Sequence, residues 1–222
     1  VDEPGSLTRP WGLGDALAGI LVGLVGSSIV VSAAHIDTHS SIGLQFLANV
    51  PLWLGLGVAP VVATRRRGRG PVADLRLAVR PIDLLALPLG GLVQVVIGAV
   101  YTIFVDRHDV EAPSRQLADA AHGAGGKVLL VAMTIVIAPV LEELFYRGLV
   151  LRSLTRAMAP VAAAVVCGLL FGAMHFQPLQ LVGLAVFGTL AAGLALRTDR
   201  LGPAVLAHVG FNAVALWSLH IF

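Results

Sequence analysis

The sequence predicts an all-α fold, a polytopic transmembrane helical bundle of about seven spans. Three observations lead there. Of the 222 residues, 57% are hydrophobic and 13% charged, roughly half the charged share of an ordinary soluble domain, and the mean hydropathy is +0.87. The apolar residues fall into several runs near the roughly 20 residues a helix needs to cross a bilayer. A single soluble core has no place for that much apolar surface, and backbone in lipid must satisfy its own hydrogen bonds, which favours helices.

Taken in order, residues 1–10 are polar, contain two prolines and read as an N-terminal tail. The first span is expected over 11–34. It is too long for a signal-peptide core and lacks a cleavage site, so it stays attached; Gly19-x-x-x-Gly23 within it allows close helix packing. After a short polar connection, a second span covers 42–63, kinked at Pro51 and Pro60. The run Arg65-Arg66-Arg67-Gly68-Arg69, followed by Arg76 and Arg80, reads as a cytoplasmic loop and not as a nucleic-acid surface. A third span covers 82–105. Residues 106–127 are the longest polar segment, of mixed charge, with Gly123, Gly125 and Gly126 near its end. The remaining spans are expected at 128–151, 161–176, 179–196 and 201–221. The chain thus divides into the tail, an N-terminal set of helices over 11–127 with its Arg-rich and outer polar loops, and a core over 128–222.

Charge orients the bundle. With the N-terminus inside, the inner loops hold ten of the fifteen basic residues: Arg65, Arg66, Arg67, Arg69, Arg76, Arg80, Arg152, Arg156, Arg197 and Arg200. The outer loops hold Arg107, Arg115 and Lys127. Every inner loop agrees with N-in, C-out. Cys167 is the one cysteine, which excludes an intrachain disulfide, and in an apolar run it reads as a small core residue.

The chemistry concentrates in Pro139–Arg147. Glu142 and Glu143 are two of only four glutamates, and both lie in an apolar run. A charge at mid-bilayer costs about 2.5–3.5 kcal/mol on the lenient insertion scale, so such residues read first as functional. Glu143 and Arg147 stand at i, i+4 and can pair; Glu142 points about 100° away and is left for another task. Two later spans carry Phe171-x-x-x-His175 and His208-x-x-x-Asn212. Taken singly, each histidine can be a ring bonded to a backbone carbonyl, Asn212 can be interhelical glue, and Glu143–Arg147 can be structural. Their conjunction on three helices points to one shared interior site, because buried polar groups need partners.

Glu142-Glu143-Leu-Phe-Tyr-Arg147, Phe171-Gly-Ala-Met-His175 and His208-Val-Gly-Phe-Asn212, in that order, resemble the signature of the CPBP intramembrane proteases, which include CAAX prenyl endopeptidases, bacteriocin-processing and self-immunity proteins, and the domain also called Abi. The resemblance covers about residues 128–222. It implies an active site inside the bundle and hydrolysis of a peptide bond there. Glu142 would be the general base on water, with His175 helping to hold that water. His208 and Asn212 would bind the oxyanion, and Glu143 and Arg147 would orient the site. The chemistry agrees: a positioned base is worth about 10²–10⁴ in rate, and an imidazole N–H and an amide NH₂ can serve a tetrahedral oxyanion.

The family is often labelled metalloprotease, and a divalent metal such as zinc has suitable ligands in Glu142, His175 and His208, with Glu143 then the base. No His-Glu-x-x-His pair is present, and the metal-free glutamate mechanism is the reading preferred. The expected substrate is a membrane-associated peptide or protein; nucleic acid is not expected. High Ala, Gly, Val and Arg with a single lysine point to a bacterial source and so to the inner (plasma) membrane, where prenylated CAAX substrates fit less well. The rival class is a non-catalytic scaffold or immunity protein that binds a membrane-protein partner; a transporter fits less well, because no charged series lies outside the cluster. Gly12-Leu-Gly-Asp15 matches the Gly-x-Gly-Asp of aspartyl intramembrane proteases but sits at a span end with no partner aspartate. His35, His39, His108 and His122 fall in outer connections, and His220 is expected at the interface. One tension remains: counted at 1.5 Å per residue from the inner span ends, Glu142 and Asn212 lie roughly 14 and 16 Å deep but His175 roughly 22 Å.

Overall fold

The computed structural model describes residues 10–219; the expected tail up to residue 9 and the interfacial placement of His220 lie outside the described residues. All regular structure among the described residues is helical. The long helices are α1 (Leu13–Ala33), α2 (Ile42–Arg67), α3 (Pro81–Phe104, its first turn tightened to a 3₁₀ turn), the amphipathic α4 (Arg107–Asp119), α5 (Gly123–Leu154), α6 (Pro160–Ala173), α7 (Leu181–Thr198) and α8 (Gly202–Ser218). Five of them, α1, α2, α3, α5 and α7, are long and apolar enough to cross a membrane, and α6 is a shorter apolar helix. The chain is a multi-pass membrane protein.

The helices begin where local chemistry lets them. The Gly12 N–H donates to Asp15 Oδ2 at 2.9 Å at the head of α1, and Pro160 and Pro203 occupy first-turn positions of α6 and α8, where a missing N–H costs nothing. The polar segment 106–127 is not simply a loop. Asp106 caps α4 by accepting from the His108 N–H at 2.8 Å, and Glu111 bridges Arg107 and Arg115 one turn to either side. These are ordinary helix signals, masked in the sequence by their polarity.

Packing is pairwise around a central α5. α1 lies on α2, α3 on α8 and α6 on α7, while α5 touches α1, α2, α4, α6, α7 and α8. Small residues set the closest crossings. A Cβ on Gly210 would run into the Leu87 backbone and one on Gly90 into Ala207, so α3 and α8 meet nearly backbone to backbone. Gly19 and Gly23 of the expected packing motif face Gly55 and Leu52 of α2. At the arginine-rich end the turn before α3 is tied to the start of α8: the Leu201 N–H donates to Arg76 O and the Gly202 N–H to Ala78 O, both at 3.0 Å. Leu201, Gly202, Pro203 and Ala204 are buried, so α8 starts inside the bundle.

Candidate active site

α5 is not a uniform helix. It widens to i→i+5 turns over Ala132–Ile137 and again over Leu144–Val150, a departure that concentrates at functional sites. The first widening precedes Pro139, whose ring opposes a regular turn. The second follows the two glutamates and carries Arg147.

Glu143 is at the centre of the cluster. Its Oε1 accepts from Arg147 Nη1 at 2.8 Å and from His208 Nδ1 at 2.9 Å; all three side chains are buried. A carboxylate only accepts, so Nδ1 of His208 bears the proton and Nε2 faces the other way, toward Glu142 Oε2 at 3.8 Å. Arg147 also donates from Nη2 to the Gly188 carbonyl of α7 at 2.9 Å and lies over the Phe171 ring at 4.7 Å. The expected Glu143–Arg147 pair is therefore present, and the same carboxylate oxygen also accepts from His208. Glu142 is the member with some exposure, 17% for its side chain, and no ion pair within its own helix.

His175 reaches the cluster through aromatic contact. α6 ends at Ala173, and the Nδ1–H of His175 turns back to the Phe171 carbonyl at 2.7 Å. Its ring lies 4.7 Å from that of Phe171, which in turn lies 5.5 Å from that of His208. Two features narrow the depth mismatch of the sequence reading: α5 continues to Leu154, which puts Glu142 about 18 Å from that end, and α8 starts inside the bundle.

Asn212 does not join the cluster by hydrogen bond. Its Nδ2 donates to the Thr134 carbonyl at 2.7 Å. In the widened i→i+5 register that carbonyl looks to residue 139, which is proline and has no N–H. Asn212 thus supplies a donor that Pro139 lacks, and keeps a second N–H on the same amide. Phe171, Phe187, Gly188 and Thr134 are the site neighbours that sequence reasoning left out as site members. Phe171 was visible in its motif, whereas nothing in the sequence marked Phe187, 5.0 Å from the His208 ring. Cys167 is buried and donates to Tyr146 O at 3.3 Å, a core residue as expected. Asp15 sits at the start of α1 in an ion pair with Arg67, away from the cluster.

Among the described residues no three of the His, Cys, Asp and Glu side chains are arranged to hold an ion. His208 and His175 each commit Nδ1, to Glu143 and to a backbone carbonyl, and keep Nε2, while Glu143 is shared with Arg147.

Residues 124–214 match the family model described as type II CAAX prenyl endopeptidase Rce1-like. No curated protein and no solved structure matches the chain. The matched stretch runs from the first turn of α5 into α8 and contains Glu142, Glu143, Arg147, His175, His208 and Asn212. On that match, residues 124–214 are similar to the CAAX-type intramembrane proteases.

Proposed function

We propose that this protein is an intramembrane endopeptidase that hydrolyses a peptide bond of a membrane-associated protein or peptide, with residues 128–222 as its catalytic core. The observation that carries the reading is that the family match falls on the stretch whose two adjacent glutamates meet His208 inside an apolar bundle. Glu142 takes a proton from water as the oxygen attacks the scissile carbonyl, and later returns that proton to the leaving amine. His208 is held at Nδ1 by Glu143, which aims its Nε2 edge at the developing oxyanion. The second N–H of Asn212 is a further donor to it. His175 helps to hold the water through its remaining ring nitrogen. Glu143 and Arg147 position His208 and tie it to α7. Water activated by Glu142 needs no metal, and the setting is the bacterial inner membrane with the N-terminus cytoplasmic.

Glu142→Gln keeps the shape and removes the base. The purified variant is expected to lose about 10²–10⁴ in rate with unchanged thermal unfolding, and membranes carrying Glu142→Ala are expected to accumulate an uncut substrate visible by comparative proteomics. A variant that keeps the full biological effect overturns the protease reading in favour of a scaffold. Activity is expected to survive exhaustive chelation; loss on chelation with rescue by one divalent ion overturns the metal-free mechanism.

A further inference from the structure

The arginine-rich end holds more positive charge than the protein itself answers. Four ion pairs close there around Asp15, Asp74, Asp199 and Asp83, through Arg67, Arg69, Arg152 and Arg200, and Arg76 also reaches Asp199 at 3.3 Å. Arg156 donates to the Trp11 carbonyl and lies 4.3 Å over its ring. Arg65, Arg66, Arg80 and Arg197 are exposed and have no ion pair among the described residues. They come from three elements, and the pairs beside them bring those elements to one end. Arg65 and Arg66 precede Arg67, bound to the head of α1; Arg80 adjoins Asp83, bound to Arg200; Arg197 lies two residues before Asp199, which holds Arg76 and Arg152.

The same end exposes apolar side chains. Val72, Val79 and Ile82, in and just after the turn linking α2 to α3, are 69%, 70% and 60% exposed. α2 spans 26 residues, about 39 Å of helix, against a hydrocarbon core of about 30 Å. Its last turn, with Arg65 and Arg66, therefore extends into the headgroup layer. Guanidinium groups match phosphate oxygens in a planar fork. A soluble anion has no use for the adjoining valines and isoleucine, whereas a phospholipid offers a phosphate to the arginines and acyl carbon to the apolar rim.

We propose that Arg65, Arg66, Arg80 and Arg197, with Val72, Val79 and Ile82 beside them, form a binding site for anionic phospholipid headgroups at the arginine-rich end. The site seats the α2–α3 turn on the membrane surface, and through the backbone bonds of Leu201 and Gly202 it steadies the start of α8, the helix that carries His208 and Asn212.

The test uses the full chain in nanodiscs of phosphatidylcholine containing a minor share of phosphatidylglycerol, with retained lipid counted by native mass spectrometry. The wild type is expected to retain phosphatidylglycerol in preference to phosphatidylcholine. Charge near an anionic surface is worth about fivefold in association for each arginine, so R65Q/R66Q/R80Q/R197Q is expected to lose the preference by at least tenfold. The corresponding four lysine substitutions are expected to retain most of it, and Arg107→Gln at the opposite end to leave it unchanged. These four side chains make no ion pair among the described residues, so the glutamine variant is expected to unfold at the wild-type temperature. An undiminished preference in the glutamine variant overturns the proposal. So does wild-type binding of inorganic phosphate in detergent with the same dependence on these arginines, since that marks a soluble-anion site.

Discussion

Two sets of ion pairs in this protein use the same chemistry in opposite surroundings. Glu143 and Arg147 are fully enclosed, at 0% exposure each, and share the carboxylate with His208. At the arginine-rich end, Arg67 and Arg69 keep 33% and 73% of their side chains in contact with the surroundings. Exposed pairs are worth about 0–1 kcal/mol. An enclosed pair has given up its hydration, and its net contribution can be nil even where the loss of one partner is severe. The interior pair is therefore poorly explained as a source of stability. Its three-way geometry fixes the tautomer and direction of His208 and, through the Gly188 carbonyl, binds α5 to α7. The exposed pairs at the arginine-rich end fix loops and leave cationic charge over.

The comparison breaks most sharply at Arg147. Arg147→Met strands the Glu143 carboxylate in an apolar interior, and a loss of about 3–5 kcal/mol is expected, read as a lowered unfolding midpoint in detergent micelles. Glu143→Met with Arg147→Leu removes both charges and is expected to recover most of that stability while leaving His208 unoriented and activity absent. If the double variant is as unstable as the single one, the pair is a structural necessity, and its assignment to orientation fails.

Asn212 tests a different kind of buried polar contact, one that answers a backbone gap. Asn212→Ala leaves the Thr134 carbonyl without its side-chain donor, at a cost of about 1–3 kcal/mol. Pro139→Ala restores an N–H within the helix, so the cost of Asn212→Ala measured in that background is expected to be clearly smaller. Equal costs in both backgrounds sink the link between Asn212 and Pro139. A rate loss for Asn212→Ala that persists in the Pro139→Ala background isolates the oxyanion role from the structural one.

Much of this was legible in the chain itself, for identifiable reasons. The apolar runs located the long helices, because a segment that cannot expose its backbone to lipid has few alternatives. The Glu143–Arg147 pair followed from helical spacing alone. The bond from Glu143 to His208 did not, since it joins residues 65 positions apart and depends on how α5 and α8 pack against each other. The task of Asn212 was hidden because its partner is a backbone carbonyl, which no side-chain motif reports. α4 carries no apolar run to mark it, although Asp106 and the Arg107–Glu111–Arg115 spacing announce a helix.

Helix α4 carries a further exposed set of pairs, away from the arginine-rich end, and supplies the mildest test. Glu111 is partly buried, which raises its carboxyl pKa, but hydrogen bonds from Arg107 and Arg115 more than offset this and hold it below the ordinary glutamate range. A carboxyl lowered on folding contributes stability that is fully present above its unfolded value, about 4.3, and is lost as pH falls through the lower folded value. The contribution is less than about 1 kcal/mol for each exposed pair. Amide protection of α4 in hydrogen exchange, corrected for intrinsic rates, is expected to hold from pH 7 to about 5 and to weaken severalfold near pH 3. In Glu111→Gln the same protection is expected to be lower throughout and flat across that range. The Gln180 Nε2 bond to the Val110 carbonyl, at 2.7 Å, and the Arg107 bond to Ser218 O join α4 to the loop that carries His175 and to the end of α8. Acid loosening confined to α4, with activity unchanged, would show that the Glu111 ion pairs act only locally. Loosening that spreads to residues 174–180 would show that the weak set of pairs reaches the strong one.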